Sequence, residues 1–387
     1  MAYIYQTKTG KWGYSVSLGL DPVTGKQVQK TKSTFKSEKE AIRAAALMEK
    51  QFEDGELKSE AKLKVSVFLP EFLIWYGHHA KESSVRARRI ALERLTELWQ
   101  DTQLRRITKR IYQDRLLDLS NQYSKNYLDS MHTTGRMFFK RALELELIKN
   151  DPTEGFKLPK KKSFEVDENE ELEQLNYLER DELINLLQTA KTDGLKNDFL
   201  YFTMLAYTGL RIGEMMALKW PDIDLDAGTL KITKTLYTPA NNTKNYKLFP
   251  PKTSSSKRTI RIDDDLVALL KKHKAEQNEQ FLKNRDHYYN KQFVFAREDG
   301  YPTLRKLVEI RLIRLLNKAG ISKKITLHGF RHTHTSLLIE AGVGVKEIQL
   351  RLGHSDYKTT MNIYAHMTKN MEENAAEKFS QLMRGLL

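Results

Sequence analysis

The chain has 387 residues, a formal net charge of +15 at pH 7 and no cysteine. The absence of thiols excludes disulfides, cysteine-based zinc sites and a cysteine nucleophile. The basic balance favours a polyanionic partner such as nucleic acid, although basic proteins are also common in some proteomes. No apolar run approaches the roughly 20 residues of a membrane helix, and the first residues lack the layout of a signal peptide. A cytoplasmic protein without membrane contact is therefore expected.

Residues 1–55 are predicted to form a small domain with three β-strands and one α-helix. Three short segments of alternating hydrophobicity are separated by turn residues, which is typical of a small antiparallel sheet. Ser37 and Glu40 have the spacing of a capping box, which predicts a helix that runs to about Phe52. The lysines of this domain that are predicted to contact DNA are Lys26, Lys30 and Lys32. Such a domain is either purely structural or lays its sheet into a DNA groove.

Residues 62–158 are predicted to form an all-helical domain. Apolar residues recur at helical spacing, and they include Val65, Phe68, Phe72, Ile90, Leu92, Leu95, Leu98, Ile111, Leu116, Leu117 and Leu119. Basic residues interrupt these stripes and form either a solvated face or a face that contacts phosphates. The predicted DNA contacts among them are Arg86, Arg88 and Arg89.

A change of composition predicts a linker at residues 159–175, where a basic run is followed by an acidic one. Residues 176–387 are then predicted to form a third domain in which helices dominate and short strands lie near Gly228–Tyr237 and Arg258–Ile262. The predicted fold is therefore multidomain and mainly α, with a mixed α+β domain after the linker.

The string TGLRIGE places Arg211 directly after a predicted turn. The apolar run before it predicts a buried helix, and Arg211 begins the next one, where the helix dipole also favours an anion. Glu214 lies one turn further on and is expected to fix the guanidinium. The alternative is an ordinary arginine–glutamate pair at the surface.

The string PKTSSSKR is typical of a hairpin tip that leads into a strand. Lys252 at this tip can reach into a site, where burial or neighbouring cations would lower its pKa. The plain alternative is an exposed loop lysine.

The string LHGFRHTH contains His328 and Arg331, which are three residues apart and share one face of a helix. An arginine beside a histidine suits a phosphate better than a metal. His332 and His334 invite a zinc interpretation, but a spacing of two makes their side chains diverge on a helix. Core or supporting roles are therefore favoured for both.

Two further motifs complete the series. In LGHS, the glycine predicts a helix end that presents His354 at a turn. In NIYAH, Tyr364 is one of 17 tyrosines and is distinguished by its neighbours alone. Tyr357 lies close by in the sequence but lacks that context.

In this order, the five strings resemble the motifs of the tyrosine recombinases, also called phage-type integrases. The resemblance covers about residues 178–366. More weakly, residues 64–158 resemble the core-binding domain of that family, and residues 1–55 resemble the arm-site-binding domain of integrases from phages and conjugative transposons. The resemblance implies a site-specific recombinase that cleaves and rejoins DNA to integrate and excise a phage genome or another mobile element.

The resemblance also implies how the phosphate is attacked and held. Tyr364 would be the nucleophile, giving a 3′-phosphotyrosine and a free 5′-hydroxyl. Arg211 and Arg331 would clamp the nonbridging oxygens, where negative charge grows in the transition state. His354 would donate a hydrogen bond to a phosphate oxygen.

Proton transfer and orientation are implied for the other motif residues. Lys252 would protonate the leaving 5′ oxygen, His328 would assist removal of the tyrosine proton, and Glu214 would orient Arg211. No metal or other cofactor is expected, because arginine and lysine supply the positive charge. No ATP is expected either, because the transesterification exchanges one phosphodiester for another.

The expected partner is double-stranded DNA with core and arm attachment sites, bound by a homotetramer. The arm domain implies an excisionase and a host DNA-bending protein as further partners. The tail after Tyr364 has a roughly helical apolar stripe, which is expected to pack on its own domain or on a neighbouring protomer. The alternative functions are a type IB topoisomerase-like enzyme, a catalytically inert DNA-binding regulator and, on the histidines alone, a metal-dependent nuclease.

Overall fold

The structure is a computed structural model. The residues that it describes are 2–20, 27–53, 63–158, 177–251, 256–353 and 384. The predicted site residues that lie outside the described residues are Lys26, Lys252, His354 and Tyr364, together with the alternative Tyr357. The predicted linker and the tail stripe lie outside them as well. The chain divides into two compact units, Met1–Lys162 and Ser163–Leu387.

The first unit begins with the predicted sheet and helix. These elements are β1 (Ala2–Gln6), β2 (Trp12–Leu20), β3 (Gln27–Phe35) and α1 (Glu38–Glu53). The antiparallel sheet has the order β1-β2-β3, and Tyr14 and Val16 of β2 belong to the small core that α1 covers. The backbone N–H of Glu40 donates to Ser37 Oγ at 3.3 Å. The Glu40 carboxylate accepts from the backbone N–H of Lys36 at 3.0 Å, one residue before the expected position.

The rest of the first unit is helical and has its own core. Its main helices are α2 (Val65–Gly77), α3 (Glu82–Leu95), α4 (Lys109–Ser120) and α5 (Lys125–Glu144). Phe68 and Phe72 of α2 pack on Phe138 of α5, with ring centroids 5.0 and 5.4 Å apart. The predicted apolar stripes are too wide, because each helix turns only part of its stripe towards this core. The stripe residues that are instead exposed are Ile90, Leu98, Ile111 and Leu117.

The second unit is a layer of helices with two small antiparallel sheets. The described helices are α6 (Arg180–Thr192), α7 (Asp198–Thr208), α8 (Ile212–Met216), α9 (Asp264–Lys283), α10 (Arg305–Lys318), α11 (Gly329–Glu340) and α12 (Val345–Leu352). The strands are β4 (Ile223–Asp224), β5 (Thr229–Ile232), β6 (Thr235–Tyr237), β7 (Lys247–Phe249) and β8 (Arg258–Arg261). The three-stranded sheet has the order β4-β5-β8, and β6 pairs with β7.

Helix α7 is the centre of the second unit. It has no polar face, and α6, α9, α10 and α11 all pack against it. Its first residue, Asp198, is fully buried and accepts from Arg311 Nη1 at 3.0 Å and Arg314 Nη2 at 2.9 Å, both on α10. The backbone N–H of Leu178 donates to Thr333 Oγ1 of α11 at 2.9 Å. The unit is thus closed by contacts between residues that are far apart in the sequence.

No helix in the described ranges is long and apolar enough to cross a membrane.

Candidate active site

Arg211 lies where the sequence predicts it, between a buried helix and the next one. Helix α7 ends at Gly209, whose φ of +61° is in the left-handed region that glycine adopts without strain. Arg211 is the N-cap of α8, and its Nη1 donates to Glu214 Oε1 at 2.8 Å. Its backbone N–H donates to Glu214 Oε2 at 3.2 Å. The Arg211 side chain is 39% exposed, whereas that of Glu214 is 4% exposed, so this is a half-buried pair with a fixed guanidinium.

Glu214 also binds a second arginine, which the sequence reasoning missed. Arg258 Nη2 of β8 donates to Glu214 Oε2 at 3.0 Å. Burial alone would raise the pKa of Glu214, but the charges and hydrogen bonds of Arg258 and Arg211 outweigh it and hold the pKa below its ordinary value. Glu214 is therefore a carboxylate at neutral pH, shared between two guanidinium groups.

Arg331 lies in the first turn of α11 and is 1% exposed. Its Nη1 donates to the carbonyl of Gly209 at 2.9 Å and its Nη2 to the carbonyl of Leu352 at 2.6 Å. These carbonyls stand at the C-terminal ends of α7 and α12, where backbone oxygens lack helical partners and the helix dipole favours a cation. Burial, followed by the charge of Arg211, lowers the pKa of Arg331 to about 9, so it stays cationic at neutral pH.

His328 is the N-cap of α11, and its ring meets that of His332 edge-on at a centroid distance of 4.9 Å. His328 as a whole residue is exposed. The protein around it, followed by His332 and Arg331, nevertheless lowers the pKa of His328 to about 4, and Arg211 acts in the same direction. His328 is therefore neutral at pH 7 and lies within the field of both arginines. Nδ1 of His332 is buried without a hydrogen-bond partner among the described residues.

His334 has a supporting position, as predicted from its spacing. It is buried, and its Nδ1 lies 2.8 Å from the carbonyl of Ala206 in α7. Arg351 of α12 donates from Nε to His334 Nε2 at 3.1 Å. Burial, with Arg351 next, lowers the pKa of His334 to about 4. Its Nε2 accepts a hydrogen bond, so the proton of the neutral ring is on Nδ1 and points to Ala206.

The structure thus brings together Arg211, Glu214, His328 and Arg331 from two separate motifs. Lys252, His354 and Tyr364 lie outside the described residues, so their roles stay predictions. Gly353, which precedes His354, ends α12 in a left-handed conformation with φ +65°, as the LGHS motif predicts. Among the described residues, no group of three histidine or carboxylate side chains could hold a metal ion.

The two described lysines that are predicted to contact DNA, Lys30 and Lys32, lie on the same face of the sheet. Lys30 pairs with Val16 and Lys32 with Tyr14, and directly opposed residues share a face. Both lysines therefore emerge on the face that α1 covers, where they are exposed at its edge. The opposite face, which α1 leaves open, carries Tyr3, Tyr5, Ser15, Ser17, Gln29 and Thr31.

The three arginines predicted to contact DNA from α3 differ in their surroundings. Arg88 Nη1 donates to Thr134 Oγ1 of α5 at 2.9 Å and is partly buried. Arg86 and Arg89 are exposed. Arg88 therefore joins two helices of the first unit, and the two exposed arginines are the better candidates for phosphate contacts.

Comparison with known proteins decides the family. The family model described as "Phage integrase family" matches residues 176–371, and the model described as "Arm DNA-binding domain" matches residues 3–52. The chain belongs to the phage integrase family. An integrase of Staphylococcus phage L54a is 30% identical to it over 343 residues, which are 84% of this chain and 96% of that protein. The chain described here is therefore a tyrosine recombinase, an enzyme that cleaves and rejoins DNA at specific sites, as the motifs predict.

Solved structures show the same fold. The Tn1549 transposon integrase in complex with a circular intermediate DNA has a TM-score of 0.64 at 21% identity, over 82% of this chain and 99% of that one. The lambda integrase tetramer bound to a Holliday junction has a TM-score of 0.58 at 17% identity, over 93% of this chain and 94% of that one. The predicted multidomain, mainly α architecture with a tyrosine recombinase catalytic domain is confirmed.

Proposed function

We propose that this recombinase integrates and excises a mobile element, with Tyr364 as the nucleophile that forms a 3′-phosphotyrosine. The observation that supports this most is the proximity of two cations: Arg331 binds the carbonyl of Gly209, two residues before Arg211, and the charge of Arg211 lowers the pKa of Arg331. Two neighbouring guanidinium groups suit strand cleavage, which concentrates negative charge on the nonbridging phosphate oxygens. Arg211 offers a partly exposed guanidinium to that charge. Arg331 is 1% exposed, so a phosphate reaches it only after a local rearrangement.

His328 is proposed to accept the proton of the attacking tyrosine. Its ring is neutral at pH 7 because burial and the surrounding cations hold its pKa near 4. A bound phosphate places negative charge against the same arginines, which raises the basicity of the ring when it is needed. Lys252 is proposed to protonate the leaving 5′ oxygen, and His354 to donate a hydrogen bond to the phosphate. With these groups the reaction needs neither a metal nor ATP.

Two surfaces of the first unit support DNA binding: the open face of the β1-β2-β3 sheet and the exposed arginines of α3. We assign an arm-type domain to residues 1–55, a core-binding domain to 62–158, a linker to 159–175 and the catalytic domain to 176–387. The open sheet face is proposed to enter a DNA groove. The basic residues proposed to contact phosphates beside it are Lys26, Lys30 and Lys32, and those in the core-binding domain are Arg86 and Arg89.

The assembly is proposed to be a homotetramer on double-stranded DNA, as in the lambda integrase structure on a Holliday junction. The tail after Tyr364 is proposed to dock on a neighbouring protomer. An excisionase and a host DNA-bending protein are proposed as partners, because the chain matches an arm DNA-binding domain and integrases with such a domain usually need accessory proteins. Since the substrates are element and host DNA, we place the reaction in the cytoplasm of a bacterial host.

Covalent trapping tests this proposal directly. The substrate is a nicked duplex that covers the attachment core of the element encoding the protein, and Tyr364→Phe is compared with the matched Tyr357→Phe. We expect an SDS-resistant adduct that forms in EDTA, survives in Tyr357→Phe and vanishes in Tyr364→Phe. An adduct that persists in Tyr364→Phe would refute the assignment of the nucleophile. No adduct from wild type on a core that it binds would favour the inert regulator, and relaxation of plasmids without a core would favour the topoisomerase.

A further inference from the structure

Arg258 is a nearly buried cation to which the proposed mechanism gives no role. Its side chain is 6% exposed, and it stands on β8 with Ile260, whose side chain is buried. Three acceptors surround it: Glu214 Oε2 at 3.0 Å from Nη2, the carbonyl of Arg351 at 2.7 Å from Nε, and the carbonyl of Ser256 at 3.2 Å from Nη1. A single guanidinium thus joins α8, the end of α12 and the backbone that enters β8.

The contact with Glu214 bears on the orientation of Arg211. Glu214 gives one carboxylate oxygen to the side chain of Arg211 and the other to Arg258. If Arg258 were lost, a buried carboxylate would have one cation left, and a buried charge with incomplete pairing is costly. Glu214 would then draw the Arg211 guanidinium inward or take up a proton, and each change takes Arg211 away from its described orientation.

The contact with α12 bears on Arg331. Arg258 donates to the carbonyl of Arg351, and Arg331 donates to the next carbonyl, that of Leu352. The tie between the two elements is reciprocal, because Arg351 Nη1 donates to the carbonyl of Arg261 on β8 at 3.1 Å. Both carbonyls at the end of α12 are therefore held by arginines. The same helix end leads into Gly353 and the predicted phosphate ligand at the next position.

We propose that Arg258 is a positioning residue for strand cleavage, acting on Arg211 through Glu214 and on Arg331 through the end of α12. It makes no contact with the phosphate itself. This inference rests on the proposed function, in which Arg211 and Arg331 bind the scissile phosphate. Arginine suits the position because its planar group serves three acceptors at once, which the single ammonium of lysine does not do in this geometry.

The test is single-turnover cleavage of the nicked core duplex at saturating DNA. We expect Arg258→Gln to lower the cleavage rate by roughly 10- to 100-fold, as for other residues that orient a reactive group, while the affinity for DNA is unchanged. Arg258→Lys should recover part of the rate, because a lysine can still pair with Glu214. Lys231→Gln is the matched control: it removes one charge from the exposed surface of the same sheet, where Lys231 pairs with Thr259, and should leave the rate unchanged.

Two further measurements separate positioning from damage to the fold. Glu214→Gln combined with Arg258→Gln should slow cleavage by less than the product of the two single defects, because both changes break the link between Arg258 and Glu214. A methylphosphonate at the scissile position removes the negative charge that the arginines bind, so the defect of Arg258→Gln should shrink on this DNA.

An undiminished defect on the methylphosphonate, a fully additive loss in the double variant, or a cleavage rate of Arg258→Gln within twofold of wild type would each overturn the inference alone. Failure of wild type to form an adduct on a core that it binds would overturn the proposed function, and this inference with it.

Discussion

Replacing Gly209 by alanine tests the described site most sharply. The change combines backbone strain with a steric clash, and a second glycine, Gly342, serves as a control because alanine there causes the strain alone. The φ of Gly209 is +61°, and a Cβ built on it would lie 2.6 Å from His334 Cδ2 and 2.6 Å from Leu352 Cδ2. Both neighbours are buried and have no solvent to move into. Gly209→Ala must therefore strain the backbone and also displace α11, α12 or the end of α7.

The two costs can be set out separately. A left-handed conformation costs a non-glycine residue about 1–2 kcal/mol, and forcing a methyl group into a packed core costs about 1–3 kcal/mol more. Gly342 has a φ of +79° with nothing within 4 Å of its built Cβ, so Gly342→Ala carries the first cost alone. The difference between the two variants should be about 1–3 kcal/mol, which corresponds to roughly 2–12 °C in the melting temperature of a unit of this size.

The assay pairs unfolding of the full chain with adduct formation on the nicked core duplex. The Gly209 carbonyl accepts from Arg331 Nη1, and Leu352, which the new methyl group displaces, accepts from Arg331 Nη2. Cleavage by Gly209→Ala should therefore fall roughly 10- to 100-fold at temperatures where the variant is folded, whereas Gly342→Ala should cleave at the wild-type rate. If Gly209→Ala and Gly342→Ala lost equal amounts of stability and of cleavage, the close contact of Gly209 with His334 and Leu352 would be refuted.

Two other predictions follow from burial and pairing. The pKa of His334 is about 4 in the folded state against an ordinary 6.5, so the unfolded state takes up the proton first, and stability is lost as the pH falls below 6.5. Between pH 7 and pH 5 the proton uptake lowers the free energy of unfolding by about 2 kcal/mol. Urea unfolding of His334→Gln should show a smaller fall in this free energy over the same pH range than wild type. An equal fall in the two proteins would contradict the burial of this ring. Arg88→Gln should lower the stability of the first unit by about 1 kcal/mol, because the hydrogen bond to Thr134 is lost. Arg86→Gln should leave the stability unchanged. It should instead reduce, by about 0.9, the slope of a plot of the logarithm of the DNA association constant against the logarithm of the salt concentration. The reverse pattern in binding and melting experiments would refute this division.

The part of the site that could be predicted from the sequence is the part set by local rules. The helix before Arg211, the turn at Gly209, the pairing with Glu214 and the end of α12 at Gly353 all follow from periodicity, capping and short spacings. The same local rules overestimated the core of the helical domain, where Leu98 and other stripe residues are exposed, because periodicity does not tell how much of a helix its neighbours cover.

The missed residues depend on pairing between distant segments. Arg258 enters the sequence predictions only as the last residue of the string PKTSSSKR and the first of a predicted strand. It alternates with Ile260 and Ile262, which are buried, and a strand period of two turns it inward with them. The positions of Lys30 and Lys32 on the helix-covered face follow from the register of β2 with β3, which the sequence alone does not specify. For Arg258, the alternation of inward and outward residues along the strand was the signal in the sequence that would have placed it.

The placement of α7 has a consequence for how the protein is made. This helix is apolar all round, and the helices that bury it, α9, α10 and α11, are translated long after it. On the ribosome α7 stays exposed as a hydrophobic segment until those helices emerge, whereas all residues of the helical core of the first unit, Val65 to Ile148, are already translated. A nascent chain would therefore complete its first unit before its catalytic domain, and a chain truncated before α11 would leave α7 as a site for chaperones or aggregation.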